Sequence, residues 1–365
     1  MAVTTYKCPN CGAAMVFDSK TQRLSCPSCA TNINVVDYDR YIKELDKEYG
    51  SDKDSVEYAK NSSEYSAEGG AEGSTENMKV FHCQSCGAEL VTDKYTSATF
   101  CSYCGNPTLV EERLEGEFSP EYVIPFKIDR EKAVSIYKDW LKKGPLTPKT
   151  LKSQSMIEKI SGVYVPFWLY DYNANAKLNA SAKRVRTTRR GDMEYIYTDH
   201  FQVYRDVSAQ FNKIPADASK KMPDERMDKL EPYNYNELVD FKGGYLQGYL
   251  SERYNYNSEE LNTRAKERAS RYISDIARDT IQGYTSYVIV GENKNISNLN
   301  NTYALLPVWM LNYKFNGRDY SFFLNGQTGK IVADRPISTK RTVFFTLLIF
   351  IISFVIINLG GLLIW

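Results

Sequence analysis

Eight cysteines are the residues of this chain whose types and spacing could do chemistry, and all fall into four Cys-x-x-Cys pairs. Cys8, Cys11, Cys26 and Cys29 make one set, and Cys83, Cys86, Cys101 and Cys104 make a second. Fourteen residues separate the inner cysteines in each. The flanks repeat as well: Cys11-Gly12-Ala13 matches Cys86-Gly87-Ala88, Val16 matches Val91, and Asp18 matches Asp93. This is an internal duplication. Two residues between thiols let both reach one tetrahedral ion, and the glycine after a pair permits the tight turn around it. Redox dithiols and iron–sulfur clusters use similar pairs. A duplicated four-cysteine unit of roughly 25 residues points instead to zinc, because so short a chain buries little core and needs metal to fold. Two Zn2+ per chain are expected, in closed structural sites. His82 adjoins Cys83, but four thiolates already fill the shell, so it reads as a surface residue.

Other chemistry has little to draw on. There are two histidines, neither in a catalytic motif, and there is no nucleophile elbow. Gly144-Pro145-Leu146-Thr147-Pro148-Lys149-Thr150 only approaches a phosphate loop: it lacks the glycine before the lysine and carries two prolines. Asp224-Glu225-Arg226 reads as charged surface. No enzyme activity, catalytic residue or small-molecule substrate is expected.

The elements that position the cysteines are set by composition. The 365 residues carry 46 basic and 45 acidic side chains, so no global field draws the chain to nucleic acid or anionic lipid. The 28 tyrosines suit half-buried strands and interaction surfaces. The N-terminus runs into the first cysteine pair without an apolar leader, which predicts a start in the cytosol, where thiols stay reduced.

Val343 to Trp365 is a run of 23 uncharged residues, which as a helix spans roughly 34 Å, enough for a hydrocarbon layer of about 30 Å. Arg335, Lys340 and Arg341 precede it, so the positive-inside tendency places the N-terminal part in the cytoplasm. Trp365 would sit at the far interface. The expected localisation is the cell membrane, single-pass, with contact to membrane lipid through this helix.

Between these ends, residues 37–78 hold twelve acidic and five basic side chains, too polar to offset ordering entropy, and read as a flexible acidic linker with a short helix from Tyr38 to Tyr49. That leaves the ribbons tethered but not fixed to one another. From Phe118 the pattern becomes α+β. Tyr172 to Ala182 alternates as a strand with one small apolar face, Asp129–Lys143 and Glu259–Ile281 read as helices, and Tyr320–Val332 reads as a hairpin turning at Asn325-Gly326. Pro166-Phe167-Trp168-Leu169-Tyr170-Asp171-Tyr172 is echoed by Pro307-Val308-Trp309-Met310-Leu311-Asn312-Tyr313, as if starting strands of two related sheet units, with the tryptophans in the core. Lys183, Arg184, Arg186, Arg189 and Arg190 form the most basic patch, at a strand end or hairpin. It suits anionic headgroups or a solvated loop better than nucleic acid, for it lacks interleaved aromatics. The expected order is zinc ribbon 1 (1–36), linker (37–78), zinc ribbon 2 (79–112), an α+β domain with an antiparallel sheet (118–337) and a transmembrane helix (343–365).

With Ile214-Pro215-Ala216-Asp217-Ala218-Ser219, Leu230-Glu231-Pro232-Tyr233, Leu306-Pro307-Val308-Trp309 and Asn325-Gly326-Gln327-Thr328-Gly329-Lys330, essentially the whole chain resembles bacterial double zinc-ribbon proteins with a C-terminal membrane anchor. These are often labelled zinc-ribbon proteins of the general transcription factor type, or primosomal helicase-like, although motor motifs are missing here. Some relatives lie beside flotillin-like and phage-shock proteins. The resemblance implies a membrane-anchored cytoplasmic adaptor that recruits such partners during envelope stress. A zinc-ribbon module binding DNA or RNA is the alternative.

Overall fold

The computed structural model describes residues 3–48, 78–83, 86, 88–101, 104–110, 114 and 116–363. Most of the linker expected over 37–78 lies outside these residues, as does Trp365. The chain folds as a mixed α+β protein around an 11-stranded sheet, with a long helix last.

The first cysteine set sits among β1 (Val3–Thr4), β2 (Val16–Asp18), β3 (Arg23–Ser25) and β4 (Asn32–Ile33), of which β2-β3-β4 form a small sheet, and α1 (Tyr38–Glu48) follows. The second sits among β5 (Met78–His82), β6 (Glu89–Asp93), β7 (Thr96–Phe100) and β8 (Pro107–Val110). The two sets are not free of each other. β1 pairs with β8, Val3 opposite Val110, and β7 pairs with β13 (Leu250–Glu252) of the body. The expectation of loosely tethered ribbons is corrected by these ladders: β1 and β8 each satisfy the other's backbone groups, as an exposed edge would not.

In the body, β9 (Tyr122–Val123) precedes α2 (Arg130–Lys142), whose N-cap Asp129 accepts the Lys132 amide, and α3 (Gln154–Ile157) leads into β10 (Ser161–Arg190). β11 (Met193–Asp217), α4 (Asp224–Leu230), β12 (Val239–Asp240) and β13 follow. After them come α5 (Ser258–Asp279), β14 (Ser286–Phe315), β15 (Arg318–Asn325), β16 (Ile331–Ala333) and α6 (Thr339–Leu363). Asn257 and Glu260 close a capping box on α5. The Asp224-Glu225-Arg226 stretch begins α4, and Arg226 pairs with Asp334.

The sheet runs β1-β8-β7-β13-β10-β14-β15-β16, with β11 on β10, β9 on β14 and β12 on β9. The Pro-x-Trp echoes do not begin two sheets. They lie inside the neighbouring antiparallel strands β10 and β14, where Tyr164 faces Pro307 and Pro166 faces Leu305. Each proline stands where its strand exchanges one outer neighbour for another: β13 gives way to β11 around Pro166, and β9 to β15 around Pro307. A missing N–H costs no ladder bond at such a point. Trp309 is buried and donates to the Ile128 carbonyl, while half-buried Trp168 donates to that of Tyr256.

β11, β10 and β14 continue past the body as a three-stranded antiparallel arm, about 100 Å of contour for a 30-residue strand at about 3.3 Å per residue. One face is covered by α5. Ala174, Ala176, Leu178, Ala180 and Ala182 are buried there, and the four small alanines admit Ile273 and Ala277. The alternate residues Asn173, Asn175, Lys177 and Asn179 form the opposite, open face. The expected strand over Tyr172–Ala182 is thus the middle of a longer one.

Candidate metal centres

In both cysteine sets the four Sγ atoms lie within 4.8 Å of one another. Cys8 and Cys29 approach to 3.5 Å, as do Cys11 and Cys26. Cys83 and Cys104 stand 3.7 Å apart, as do Cys86 and Cys101. A regular tetrahedron with zinc–sulfur bonds of about 2.3 Å has sulfur–sulfur edges of about 3.8 Å. All eight thiols are free. The clusters therefore have the size of a Zn(Cys)4 centre, and each can hold one Zn2+, two per chain.

The backbone builds each corner in the same way. Cys8 donates its amide to Ala13 O and accepts from Gly12, and Cys26 does likewise with Thr31 and Ala30. Cys101 repeats this with Asn106 and Gly105, and Cys83 donates to Ala88 O. The turn puts the residue after its second cysteine in the left-handed region: Gly12 at φ 72°, Gly105 at 73° and Ala30 at 58°. Glycine takes that conformation without strain, whereas Ala30 does not. One cysteine of each pair is buried and its mate exposed, so the ion would sit just under the surface.

The electrostatics fit a dication. Hydrogen bonds from the Thr31 hydroxyl and amide pull the Cys29 thiol down to about 6. Cys11 is pushed up to about 12: the Ala13 amide lowers it, but the sulfurs of Cys29 and Cys26 and burial together outweigh that. Cys86 also rises to about 12, against the lowering Ala88 amide, through burial and its neighbouring thiols. Four sulfurs this close cannot all ionise alone, and a bound cation is what would let them do so.

The duplicated aspartate also has a role. Asp18 accepts the Lys20 amide at 2.9 Å, and Asp93 accepts those of Tyr95 and Thr96 at 2.8 and 2.9 Å, so each fixes the turn of its ribbon hairpin. His82 is exposed and belongs to neither cluster.

Attachment of the ribbons to the body was not legible in the sequence. Ribbon 1 contributes Met15, Phe17, Leu24, Ile33 and Val35 to the main core beside Tyr245, Leu246 and Tyr249. Ribbon 2 gives Ala98 and Leu109 to that core and keeps a small one of its own, Phe81, Cys83, Leu90, Cys101 and Val110, and Lys221 ties its turn down, 2.6 Å from Asp93 and 2.8 Å from Glu252.

The segments that carried the resemblance meet in one place. Asn325 donates to the carbonyls of Leu230 and Pro232 and accepts from the Gln327 and Thr328 amides, which uses its full hydrogen-bonding capacity. Tyr233 donates to Pro307 O, Lys330 to Glu231 O, and Arg268 to both Pro215 O and the Glu231 carboxylate. Arg264 meets Asp217, Asp224 and Asp228 beside it. Burial, then Asp224, pushes Asp217 up to about 7 despite Arg264. This buried, largely satisfied network rivets α4, α5 and the sheet together.

At the arm tip, β10 returns as β11 through Gly191-Asp192. The basic patch is partly engaged: Arg184 donates to Gly283 O and stacks on Phe201 and Tyr284, and Arg186 pairs with Asp199. Aromatics that β10 lacks come from the returning strand, Tyr197 opposite Arg186 and Tyr195 opposite Thr188. Only the cross-strand register reveals them.

Over Thr339–Ile357, α6 has a mean hydropathy of 2.2 with none of that span buried, so by length and composition it can cross a membrane. The phosphate-loop-like stretch holds its start, with Leu146 O accepting from Ser338 and Thr147 O from Arg341.

Fold and site together define a double zinc-ribbon α+β protein with one long apolar tail helix. A Bacillus subtilis (strain 168) relative, the uncharacterized protein YdjG, is 40% identical over 339 residues, 93% of this chain and 92% of the relative. The chain belongs to the family of that protein. No family model matches the chain, and no solved structure matches it.

Proposed function

We propose that the protein is a membrane-anchored, cytoplasm-facing adaptor, a binding protein and not an enzyme, whose ribbons and β-body recruit protein partners to the bilayer. The carrying observation is the distribution of exposed apolar side chains. Apart from α6, nine of the sixteen exposed large apolar side chains among the described residues gather on the outer arm, at Val185, Met193, Tyr195, Ile196, Tyr197, Tyr204, Tyr287, Val288 and Val290. Such patches mark interaction surfaces. α6 leaves the body near Trp140, which Arg335 covers, and Tyr313 donates to Asp334 O just before it, at the opposite end of β14 from the arm tip. One end anchors and the other displays. Arg335, Lys340 and Arg341 support a cytoplasmic body. Membrane scaffolds of the flotillin-like or phage-shock type, acting in envelope stress, are the partner class the resemblance implies.

The test is crosslinking in native membranes followed by affinity purification, comparing the full chain with one ending at Thr342. Anchor-dependent recovery of membrane-scaffold proteins is expected. Nucleic acid recovered without protein, whatever the truncation, would contradict the proposal. It would favour a second reading, supported by Tyr195 and Tyr197 beside the tip arginines: stacking on single-stranded DNA or RNA, with steep salt dependence.

A further inference from the structure

The two long edges of the arm differ in how they are defended. Along β11 the outer edge carries Glu194, Asp199, Arg205, Asp206 and Lys213. Charges of this kind block strand addition. Along β14, residues 286–303 pair with β10 on one side and have no strand partner on the other among the described residues. From Val290 onward that edge has its own safeguards: the register shifts across Val290 and Leu299, and Glu292 and Lys294 lie opposite the α5-covered residues Leu178 and Ala176. Ser286-Tyr287-Val288-Ile289-Val290 lies ahead of these, reaching the first shift only at its last residue. It is uncharged, lacks proline and is rich in β-branched residues, with Val288 and Val290 exposed to 69% and 70%. Such a segment on an open edge is a template for another strand.

We propose that Ser286–Val290 is a self-pairing edge whose occupant is a second copy of this chain, joined antiparallel about a twofold axis at Val288. Self-complementarity carries the choice of occupant. Antiparallel pairing of the segment with itself sets Val288 against Val288, Tyr287 against Ile289 and Ser286 against Val290, with no charge to bury and the open N–H groups of each copy facing open C=O groups of the other. The product is a six-stranded arm whose two outer edges are both the charged β11 edge, so assembly stops at two. A foreign strand would leave a new edge. α5 packs chiefly over β10 and β11, which leaves β14 accessible. The contact is short, so it draws on the effective concentration that a shared bilayer supplies. It stands independently of the adaptor reading.

The test uses the full chain in lipid vesicles with a photoreactive benzoylphenylalanine at position 288 or, on the defended edge, at 204. Irradiation is expected to give a covalent dimer from position 288 and little from 204, and Val290→Lys should lower the dimer yield at least tenfold. Zinc content and circular dichroism check folding. If Val290→Lys fails that check, Val288→Glu, on the open face, replaces it with a probe at position 290. Equal yields from the two edges, a dimer indifferent to the added charge, or adducts in native membranes with other proteins alone would each overturn the proposal.

Discussion

The two ribbons share a cysteine spacing but not a way of being held. Ribbon 1 is sewn into the main hydrophobic core through Met15, Phe17 and Leu24, while ribbon 2 lends that core Ala98 and Leu109, keeps a small core of its own and is joined by strand ladders and the Lys221 bridge. Identical metal chemistry can thus serve different mechanical ends. In ribbon 1 the ion braces a wall of the body, and in ribbon 2 it closes a module leaning on the sheet edge.

The largest expected effect follows from losing a metal site. Cys26→Ser should remove one zinc and lower the melting temperature of the whole protein, since Leu24 and Ile33 would lose their setting. Cys101→Ser should remove the other zinc and leave a body that still melts cooperatively. Calorimetry alongside metal analysis reads both, and equal losses would erase the contrast. Next, Leu24→Ala should cost about 2–5 kcal/mol of global stability, as deletion of a fully buried leucine does. Leu90→Ala should be felt mainly as faster hydrogen exchange within ribbon 2.

Smaller effects sharpen the comparison. Gly105→Ala places a Cβ in open space at φ 73°, so only backbone strain opposes it, about 1 kcal/mol, while Ala30→Gly should gain a similar or smaller amount by relieving that strain in ribbon 1. Chemical denaturation measures both. Lys221→Ala should cost under about 1 kcal/mol, because the bridge is partly exposed. Its hydrogen bond, with those of Tyr95 and Thr96, holds the Asp93 carboxyl below its usual range against desolvation. The ionised form is thus favoured by folding, and this stability is present above the ordinary aspartate range and lost as pH falls through the lowered value. Hydrogen exchange in ribbon 2 should accelerate in acid before that in the apolar-packed ribbon 1, and Lys221→Ala should narrow the difference, the Tyr95 and Thr96 amides still holding the carboxylate.

The metal sites were legible because ligand chemistry requires particular residue types at fixed spacing. The two four-cysteine clusters, the α+β class, the helices α2 and α5, the β15–β16 hairpin and the apolar tail could be read from residue type and spacing. Attachment could not, since it rests on pairings such as Val3 with Val110 that lie a hundred residues apart and leave no periodic trace. The arm was legible in pattern but not in length: alternation identifies a strand, while its extent depends on α5 and on both flanking strands. The tyrosines beside the tip arginines emerged only from register.

Metal analysis of the purified full-length chain tests the central claim most directly, read beside variants with both cysteines of one outer pair changed, Cys26→Ser with Cys29→Ser, or Cys101→Ser with Cys104→Ser. Two zinc ions are expected in the parent and one in each variant. One zinc in the parent, iron in place of zinc, or a variant that loses both ions would contradict that claim.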